Sequence, residues 1–125
     1  MATTKLAIDF DSAYTNIYMI GSGMVLSEPT VAAVEDGERG AIKAIGEEAS
    51  KLIGKTGKNT TIVFPVFEGE VVNERVATGV LGGFLKKLGL GGVFADVTAI
   101  FSVPCGADYN MLESYRRTAR AAGIA

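Results

Sequence analysis

Residues 7–21 read AIDFDSAYTNIYMIG and place two strand-like runs on either side of a polar loop. The first run, Leu6–Ile8, is apolar. The second, Ile17–Ile20, is rich in β-branched and aromatic residues, which is typical of half-buried strands. The intervening loop, residues 9–15, is too long for a two-residue hairpin turn. It carries two aspartates and two aliphatic hydroxyl side chains, so it is the first segment to test for a binding function.

The composition predicts one compact cytoplasmic domain. A chain of 125 residues with 48% hydrophobic residues is large enough to bury a substantial core. The net charge of −2, with dispersed cations, offers no basic face, so we expect no nucleic-acid partner. The chain has no histidine and one cysteine, Cys105, which excludes histidine triads, internal disulfides and multi-cysteine zinc sites. Asp9 and Asp11 interrupt the first apolar run, so we expect no signal peptide and no transmembrane helix.

Turn and strand signals divide the chain into an antiparallel start and an alternating remainder. The expected strands are Lys5–Phe10, Asn16–Ile20, Gly23–Ala33 (broken near Pro29), Ala41–Ile45, Thr60–Pro65 and Ala95–Val103. Residues 69–72 are expected to extend a nearby sheet edge.

Three helices are expected between and after these strands. The first is Glu47–Ile53, the second is Glu74–Leu88 with Asn73 as its N-cap, and the third begins near Asn110. Glu113 stands at capping-box spacing from Asn110. Gly79, Gly82 and Gly83 interrupt the second helix, and each costs up to ~1 kcal/mol relative to alanine. They indicate either a weak helix or close packing against a sheet.

The order of elements predicts an α/β fold with a mixed sheet flanked by helices. This order resembles the ribonuclease-H-like half of the actin, heat-shock chaperone and sugar-kinase ATPases. The resemblance implies a five-stranded sheet in a single actin-like domain over residues 1–125. Its core would comprise about residues 1–30 and 71–125, with a small inserted subdomain at about 31–70.

Five ordered segments make the resemblance more specific. The sequence is similar to the bacterial actins typified by MreB and Mbl in AIDFDSAYTNIYM, GSGMVLSEPTVAAVE, AIGEEASKLIGKT, FPVFEGEVVNERVATGVLGGFLKK and SVPCGADYNMLESYRRTARAAGIA. The match covers residues 5–124. The GEEASKLIG and SEPTV segments favour this filament branch over a chaperone-like or kinase-like fragment.

The resemblance implies a cell-shape filament whose subunits bind ATP with Mg²⁺ between two domains. The first phosphate loop would then comprise Asp9, Asp11, Ser12, Ala13, Tyr14 and Thr15. The loop would offer backbone N–H groups and hydroxyls to phosphate, and Asp9 would order water bound to the metal. Homologous filament subunits are the expected partners.

Two loop positions depart from the family pattern, because Asp11 stands where the family has glycine and Tyr14 where it has asparagine. Glycine lets the backbone approach a phosphate closely, whereas an aspartate adds bulk and negative charge. Two unit charges about 4 Å apart repel by ~4 kcal/mol at an effective dielectric constant near 20. We expect impaired nucleotide binding; the alternative is a divalent cation held between Asp9, Asp11 and the phosphates.

The sequence ends at Ala125, before the position where the resemblance would place a second phosphate loop and the residue that orients the attacking water. Because phosphoryl transfer depends on positioning, we expect these 125 residues not to hydrolyse ATP. Two alternatives are a fragment of a complete filament-forming ATPase and a non-catalytic module that binds a filament of a paralogue.

The remaining sites are weaker. In some members of the family an apolar loop contacts the inner face of the membrane, and Leu90, Val93 and Phe94 occupy that place. The alternative is that Val93 and Phe94 begin a strand and pack inward. Cys105 is expected to be structural. Two further sets are expected to be solvated: the arginines Arg116, Arg117 and Arg120, and the acids Glu47, Glu48, Glu68 and Glu70.

Overall fold

A computed structural model describes residues 3–36, 40–92 and 95–125. In these ranges the chain forms nine strands and three helices. The elements are β1 (Thr4–Phe10), β2 (Tyr14–Met19), β3 (Gly23–Pro29), β4 (Ala32–Glu35), β5 (Ile42–Ile45), α1 (Gly46–Ser50), β6 (Thr60–Val63), β7 (Val66–Phe67), β8 (Glu70–Val71), α2 (Glu74–Lys87), β9 (Val97–Phe101) and α3 (Tyr109–Ala121).

The main sheet is mixed and has the strand order β3-β2-β1-β9. β1 pairs antiparallel with β2 and parallel with β9, which comes some ninety residues later in the chain. Alternate residues of β1, namely Leu6, Ile8 and Phe10, are buried in the core. The mixed sheet with flanking helices confirms the fold class expected from the order of elements.

The main sheet has four strands in the described ranges, so the expectation of five was wrong for this part of the chain. Residues 69–72, which were expected to extend an edge, instead contribute β8 to a separate two-stranded hairpin with β7. Glu68 and Gly69 form the hairpin turn, with φ angles of 50° and 79°. This left-handed pair is typical of a tight two-residue turn, which returns the chain at once and favours local pairing.

A second, three-stranded sheet has the order β5-β4-β6 and lies within the range expected for a small subdomain. The expected strand Gly23–Ala33 is divided into β3 and β4 beside Pro29, as the proline indicated. Helix α1 is shorter than expected because the chain after it forms i to i−3 bonds, such as that from the Ile53 N–H to the Ser50 carbonyl. Gly54, which follows the expected end of this helix at Ile53, has a φ of 78°.

Helix α2 lies at the centre of the core and begins where the sequence predicted. The Asn73 side chain accepts a hydrogen bond from the Val76 N–H at 3.1 Å, which confirms the cap. Residues of its apolar stripe are fully buried, including Val76, Val80, Leu81, Phe84 and Leu85.

Two of the three glycines in α2 are explained by close packing. A Cβ atom at Gly79 would overlap the Cδ1 methyl of Ile42, and one at Gly83 would overlap that of Ile45. Gly82 differs, because its Cβ would meet Ala122 only at 3.9 Å, an ordinary contact. The close-packing explanation is therefore confirmed for Gly79 and Gly83, which bring α2 against β5.

Helix α3 begins earlier than the expected start near Asn110. Asp108 is the N-cap and accepts a hydrogen bond from the Met111 N–H at 2.9 Å. Glu113 makes no capping contact and instead pairs with Arg116. The side chain of Asp108 thus accepts from a free N–H group of the first turn, and the N-cap lies two residues before Asn110, the position that the capping-box pattern indicated. One residue after Arg116, Arg117 reaches Glu74 of α2 at 2.8 Å and lowers the pKa of that carboxyl group.

Candidate functional site

Two parallel neighbouring strands, β1 and β9, end at the same edge of the main sheet, and a cavity of about 350 Å³ opens there. Its walls come from four separate segments of the chain. These are Asp9–Asp11 at the end of β1, the Glu68–Gly69 turn, residues 102–104 after β9, and Tyr115 of α3. The carboxyl ends of strands in open α/β sheets are the usual place for ligand sites.

Asp9 is half-buried and faces the cavity from the last part of β1. The Ser102 hydroxyl donates a hydrogen bond to its Oδ1 at 3.0 Å. The backbone N–H of Ser102 also donates to the Ile8 carbonyl, at 3.0 Å, and so continues the ladder between β1 and β9. This arrangement fixes the Asp9 carboxylate while leaving its second oxygen for another partner. The expected role of Asp9 in ordering metal-bound water stays a prediction.

Asp11 changes the hydrogen bonding of the loop. Its Oδ1 accepts the N–H of Ser12 at 2.8 Å, and its own N–H donates to the Tyr14 carbonyl at 3.2 Å. Both N–H groups are thus used within the loop. In a main-chain anion site such N–H groups point at the ligand. The Asp11 carboxylate therefore accepts from the Ser12 N–H in the place where a bound anion would accept. A glycine at this position has no side chain that could do so.

The structure brings only Asp9 and Asp11 of the expected loop residues to the cavity. Ala13 and Tyr14 are exposed, and the Ala13 carbonyl accepts the Thr30 N–H at 3.0 Å. Thr15 is fully buried, and its hydroxyl shares a 2.7 Å hydrogen bond with that of Thr30. The expectation that Thr15 donates to phosphate is corrected, because the alternation of β2 turns this side chain into the core.

Ser12 is half-buried, and its hydroxyl is not part of the cavity wall. The residues present thus do not fit a polyphosphate. One loop N–H is taken by a carboxylate, one expected hydroxyl is buried, and the carboxylates of Asp9 and Asp11 both line the cavity.

Tyr115 also lines the cavity, although no motif in the sequence indicates it as a site residue. Its side chain is buried, and its hydroxyl donates to the Gly69 carbonyl at 2.7 Å. Burial raises the pKa of this hydroxyl, and the nearby carboxylates of Asp11 and Asp9 raise it further. The only sequence signal was a hydroxyl on the apolar stripe of a helix, which predicts a buried hydrogen-bond partner without identifying it.

The Glu68–Gly69 turn forms the far wall of the cavity. Gly69 lies directly against Pro104, so that a Cβ atom there would overlap the proline ring. Glu68 lines the cavity as a third carboxylate, although it was expected to be plain solvated surface. Within the described ranges, however, no three acidic, histidine or cysteine side chains lie in a geometry that would hold a metal ion.

The structure describes one of the three candidate membrane contacts, Leu90. Leu90 is half-buried and packs against the main core, and its N–H donates to the Leu85 carbonyl at 2.8 Å as the chain leaves α2. Val93 and Phe94 lie outside the described residues. Among the described residues, no helix is long and apolar enough to cross a membrane.

Comparison with known proteins identifies the family. A sequence model described as MreB/Mbl protein matches residues 3–124. The chain belongs to the MreB/Mbl family. It is 32% identical over 104 residues to the cell shape-determining protein Mbl of Bacillus subtilis, covering 83% of this chain and 31% of that protein. It is 30% identical over 127 residues to the cell shape-determining protein MreB of Escherichia coli, covering 98% and 37%.

Solved structures show the same actin-like fold for this MreB/Mbl chain. MreB5 of Spiroplasma citri bound to AMPPNP gives a TM-score of 0.85 at 20% identity, over 100% of this chain and 37% of that one. A MamK double helical filament gives 0.77 at 15% identity, over 95% and 38%. The chain thus spans about a third of the length of the proteins that it matches. Family membership and the actin-like fold are both confirmed.

Proposed function

We propose that this chain acts in a cytoplasmic cell-shape filament assembled from homologous subunits, and that these 125 residues alone neither bind ATP tightly nor hydrolyse it. Family membership supports the first part. The second part depends on one observation, the hydrogen bond from the Ser12 N–H to the Asp11 carboxylate. That carboxylate occupies an N–H group of the phosphate loop and places a negative charge beside it.

Calorimetric titration with ATP and Mg²⁺ tests the nucleotide part of the proposal. Asp11→Asn removes the charge and keeps an oxygen for the Ser12 N–H, whereas Asp11→Gly removes both. We expect negligible binding by the unmodified chain and little restoration in either variant. In both variants the Thr15 hydroxyl stays buried, and these residues still provide only one side of the nucleotide site. Tight binding by the unmodified chain would refute this part.

Co-sedimentation tests the filament part. A complete MreB or Mbl relative is polymerised and pelleted with this chain, and a matched sample omits the polymerising relative. We expect this chain in the pellet only when filaments are present, with or without its own nucleotide. Recovery of the chain in the supernatant of both samples would refute the proposed filament role.

A second candidate is that the 125 residues form part of a complete, filament-forming ATPase. This candidate is favoured because the chain covers only about a third of the length of its relatives. In that case a continuing reading frame would encode a second phosphate loop. The longer product would then bind ATP and Mg²⁺ through donors of that second loop, which the first loop does not provide. The same calorimetric titration on the longer product separates the two candidates.

A further inference from the structure

The tip of the β7–β8 hairpin, residues 67–70, forms one wall of the cavity at the end of β1. Among the described residues, β7 and β8 pair only with each other. Val66 and Val71 are buried and anchor the base of the hairpin in the core. Glu68 and Gly69, between them, line the cavity. The tip is therefore the part of the hairpin that can move while the core stays intact.

A buried hydrogen bond from α3 holds the tip in place. The Tyr115 hydroxyl donates to the Gly69 carbonyl at 2.7 Å, whereas the Phe10 carbonyl lies farther away, at 3.5 Å. Since a phenol has one proton to donate, the shorter bond takes it. The Tyr115 ring is buried and contacts the ring of Phe101, with 6.1 Å between their centroids. Burial raises the pKa of Tyr115, so the phenol keeps the proton that it donates.

Two features of the tip oppose this bond. Glu68 brings a carboxylate to a cavity that the carboxylates of Asp9 and Asp11 already line, and like charges repel each other. Glu68 also has a φ of 50°, in the left-handed region that non-glycine residues rarely adopt. The tip stays closed against these two costs, with Gly69 in direct contact with the ring of Pro104.

We propose that the hairpin tip is a movable lid on this cavity, and that Tyr115 is the positioning residue that keeps the lid closed. When the bond from Tyr115 to Gly69 breaks, the tip moves away from Pro104 and takes the Glu68 carboxylate out of the cavity. The lid therefore determines whether two or three carboxylates line the cavity, and so how strongly the cavity repels an anion. The proposal involves no nucleotide and does not rest on the proposed function.

Tyr115→Phe provides the first test, because it removes the hydroxyl and keeps the ring. Nitrogen-15 relaxation dispersion at the amides of residues 67–70 measures the population of the open tip on the μs–ms timescale. We expect this population to rise about five-fold, the factor that one hydrogen bond contributes. Tyr109→Phe, which removes an exposed hydroxyl from the same helix, is the matched control and should leave the population unchanged.

The repulsion at Glu68 provides a second test, which a purely structural role of Tyr115 would not pass. Adding Glu68→Gln to Tyr115→Phe removes one of the repelling charges while keeping the size of the side chain. We expect the population of the open tip to fall back toward that of the unmodified protein. Glu70→Gln, which removes an exposed acid of the same hairpin outside the cavity lining, should not restore it.

A third test measures where the Glu68 charge lies. Cys105 is the single cysteine of the chain, is exposed and follows Pro104. Methanethiosulfonates with a trimethylammonium or a sulfonate group form a mixed disulfide with its thiolate and release methanesulfinate. The ratio of the cationic to the anionic rate reports the local charge.

Gly69→Ala should hold the tip away from Pro104, because the added Cβ atom overlaps the proline ring. It should lower the rate ratio at Cys105 about two-fold, as Glu68→Gln should by removing the charge directly. The two substitutions together should lower the ratio no further, since the charge that the open tip carries away is then already absent.

Three outcomes would overturn the proposal. The first is a tip population that Tyr115→Phe leaves unchanged. The second is exchange in Tyr115→Phe that extends over the whole chain, or that Glu68→Gln does not reduce, because the substitution would then only weaken the fold. The third is a rate ratio that Gly69→Ala lowers equally with and without Glu68→Gln, because the charge that moves would then not be that of Glu68.

Discussion

Gly46 joins the second sheet to the core. Its replacement should lower the free energy of unfolding far more than the replacement of a comparable glycine. It begins α1 with a φ of 61°, and its N–H donates to the Val31 carbonyl at 2.9 Å. A Cβ atom here would lie 2.8 Å from Cε1 of Phe84 and would overlap Oε1 of Glu28. Phe84 is fully buried, so the ring has no free space to move into.

The magnitude follows from two separate costs. A non-glycine residue in the left-handed region costs about 1–2 kcal/mol, and overpacking a close contact costs about 1–3 kcal/mol. Gly46→Ala should therefore lower the free energy of unfolding by about 2–5 kcal/mol. Gly54 is the matched control, because its φ is 78° and no atom would meet its Cβ within 4 Å. Gly54→Ala should cost only the first term, about 1–2 kcal/mol.

Equilibrium unfolding in urea, followed by circular dichroism, measures both changes. Asparagine variants add a second comparison, because asparagine tolerates the left-handed region better than alanine does. Gly54→Asn should be nearly neutral, whereas Gly46→Asn should remain strongly destabilising because the contact with Phe84 persists. The reasoning is refuted if Gly46→Ala and Gly54→Ala differ by less than about 0.5 kcal/mol, a difference too small for the overpacking cost.

Three further predictions test α2, α3 and the cavity. Gly82→Ala should stabilise the protein by up to about 1 kcal/mol through helix propensity, whereas Gly83→Ala should lose that gain because its Cβ overlaps an isoleucine methyl group; urea midpoints distinguish the two. Asp108→Ala removes the N-cap of α3 and should cost about 1 kcal/mol in the same assay, with an unchanged midpoint as the contradicting result. Asp11→Asn should lower the raised pKa of Tyr115, measured by tyrosinate absorbance against Tyr115→Phe. The folded state favours the protonated phenol of Tyr115. The resulting contribution to the stability of the fold is fully present below the pKa of an unfolded tyrosine, about 10, and is lost as the pH rises through the higher pKa of Tyr115 in the folded state. A Tyr115 pKa that is the same with and without the Asp11 charge would contradict the assignment of cause.

Local signals in the sequence were sufficient for the elements that form from neighbouring residues. Helix α2 begins at Glu74 with the Asn73 cap, as the cap residue indicated. The same kind of signal was less exact for α3, since Asp108 and Asn110 are both capable N-caps and only the folded chain decides between them. Boundaries therefore depend on which of several competing local bonds the fold retains.

The sequence was less informative about contacts between distant residues. The role of Tyr115 depends on a carbonyl 46 residues away, at Gly69, and no local pattern indicates that partner. Leu90 packs against the core because the chain turns back after α2, and no local pattern indicated that contact. Gly79 and Gly83 are intermediate, since their small size indicated close packing but not that β5 would be the contacting strand.

The first hairpin differs from a phosphate-binding loop in more than one way. Replacing Asp11 alone would therefore not turn it into one. Replacing Asp11 would release the Ser12 N–H and remove one charge, but Thr15 would remain paired with Thr30 inside the core. Asp9 would still face the cavity with one oxygen bonded to Ser102. Removing one carboxylate would also weaken the electrostatic cause that raises the pKa of Tyr115. A single substitution therefore changes the charge of the site without supplying the donors that a polyphosphate requires.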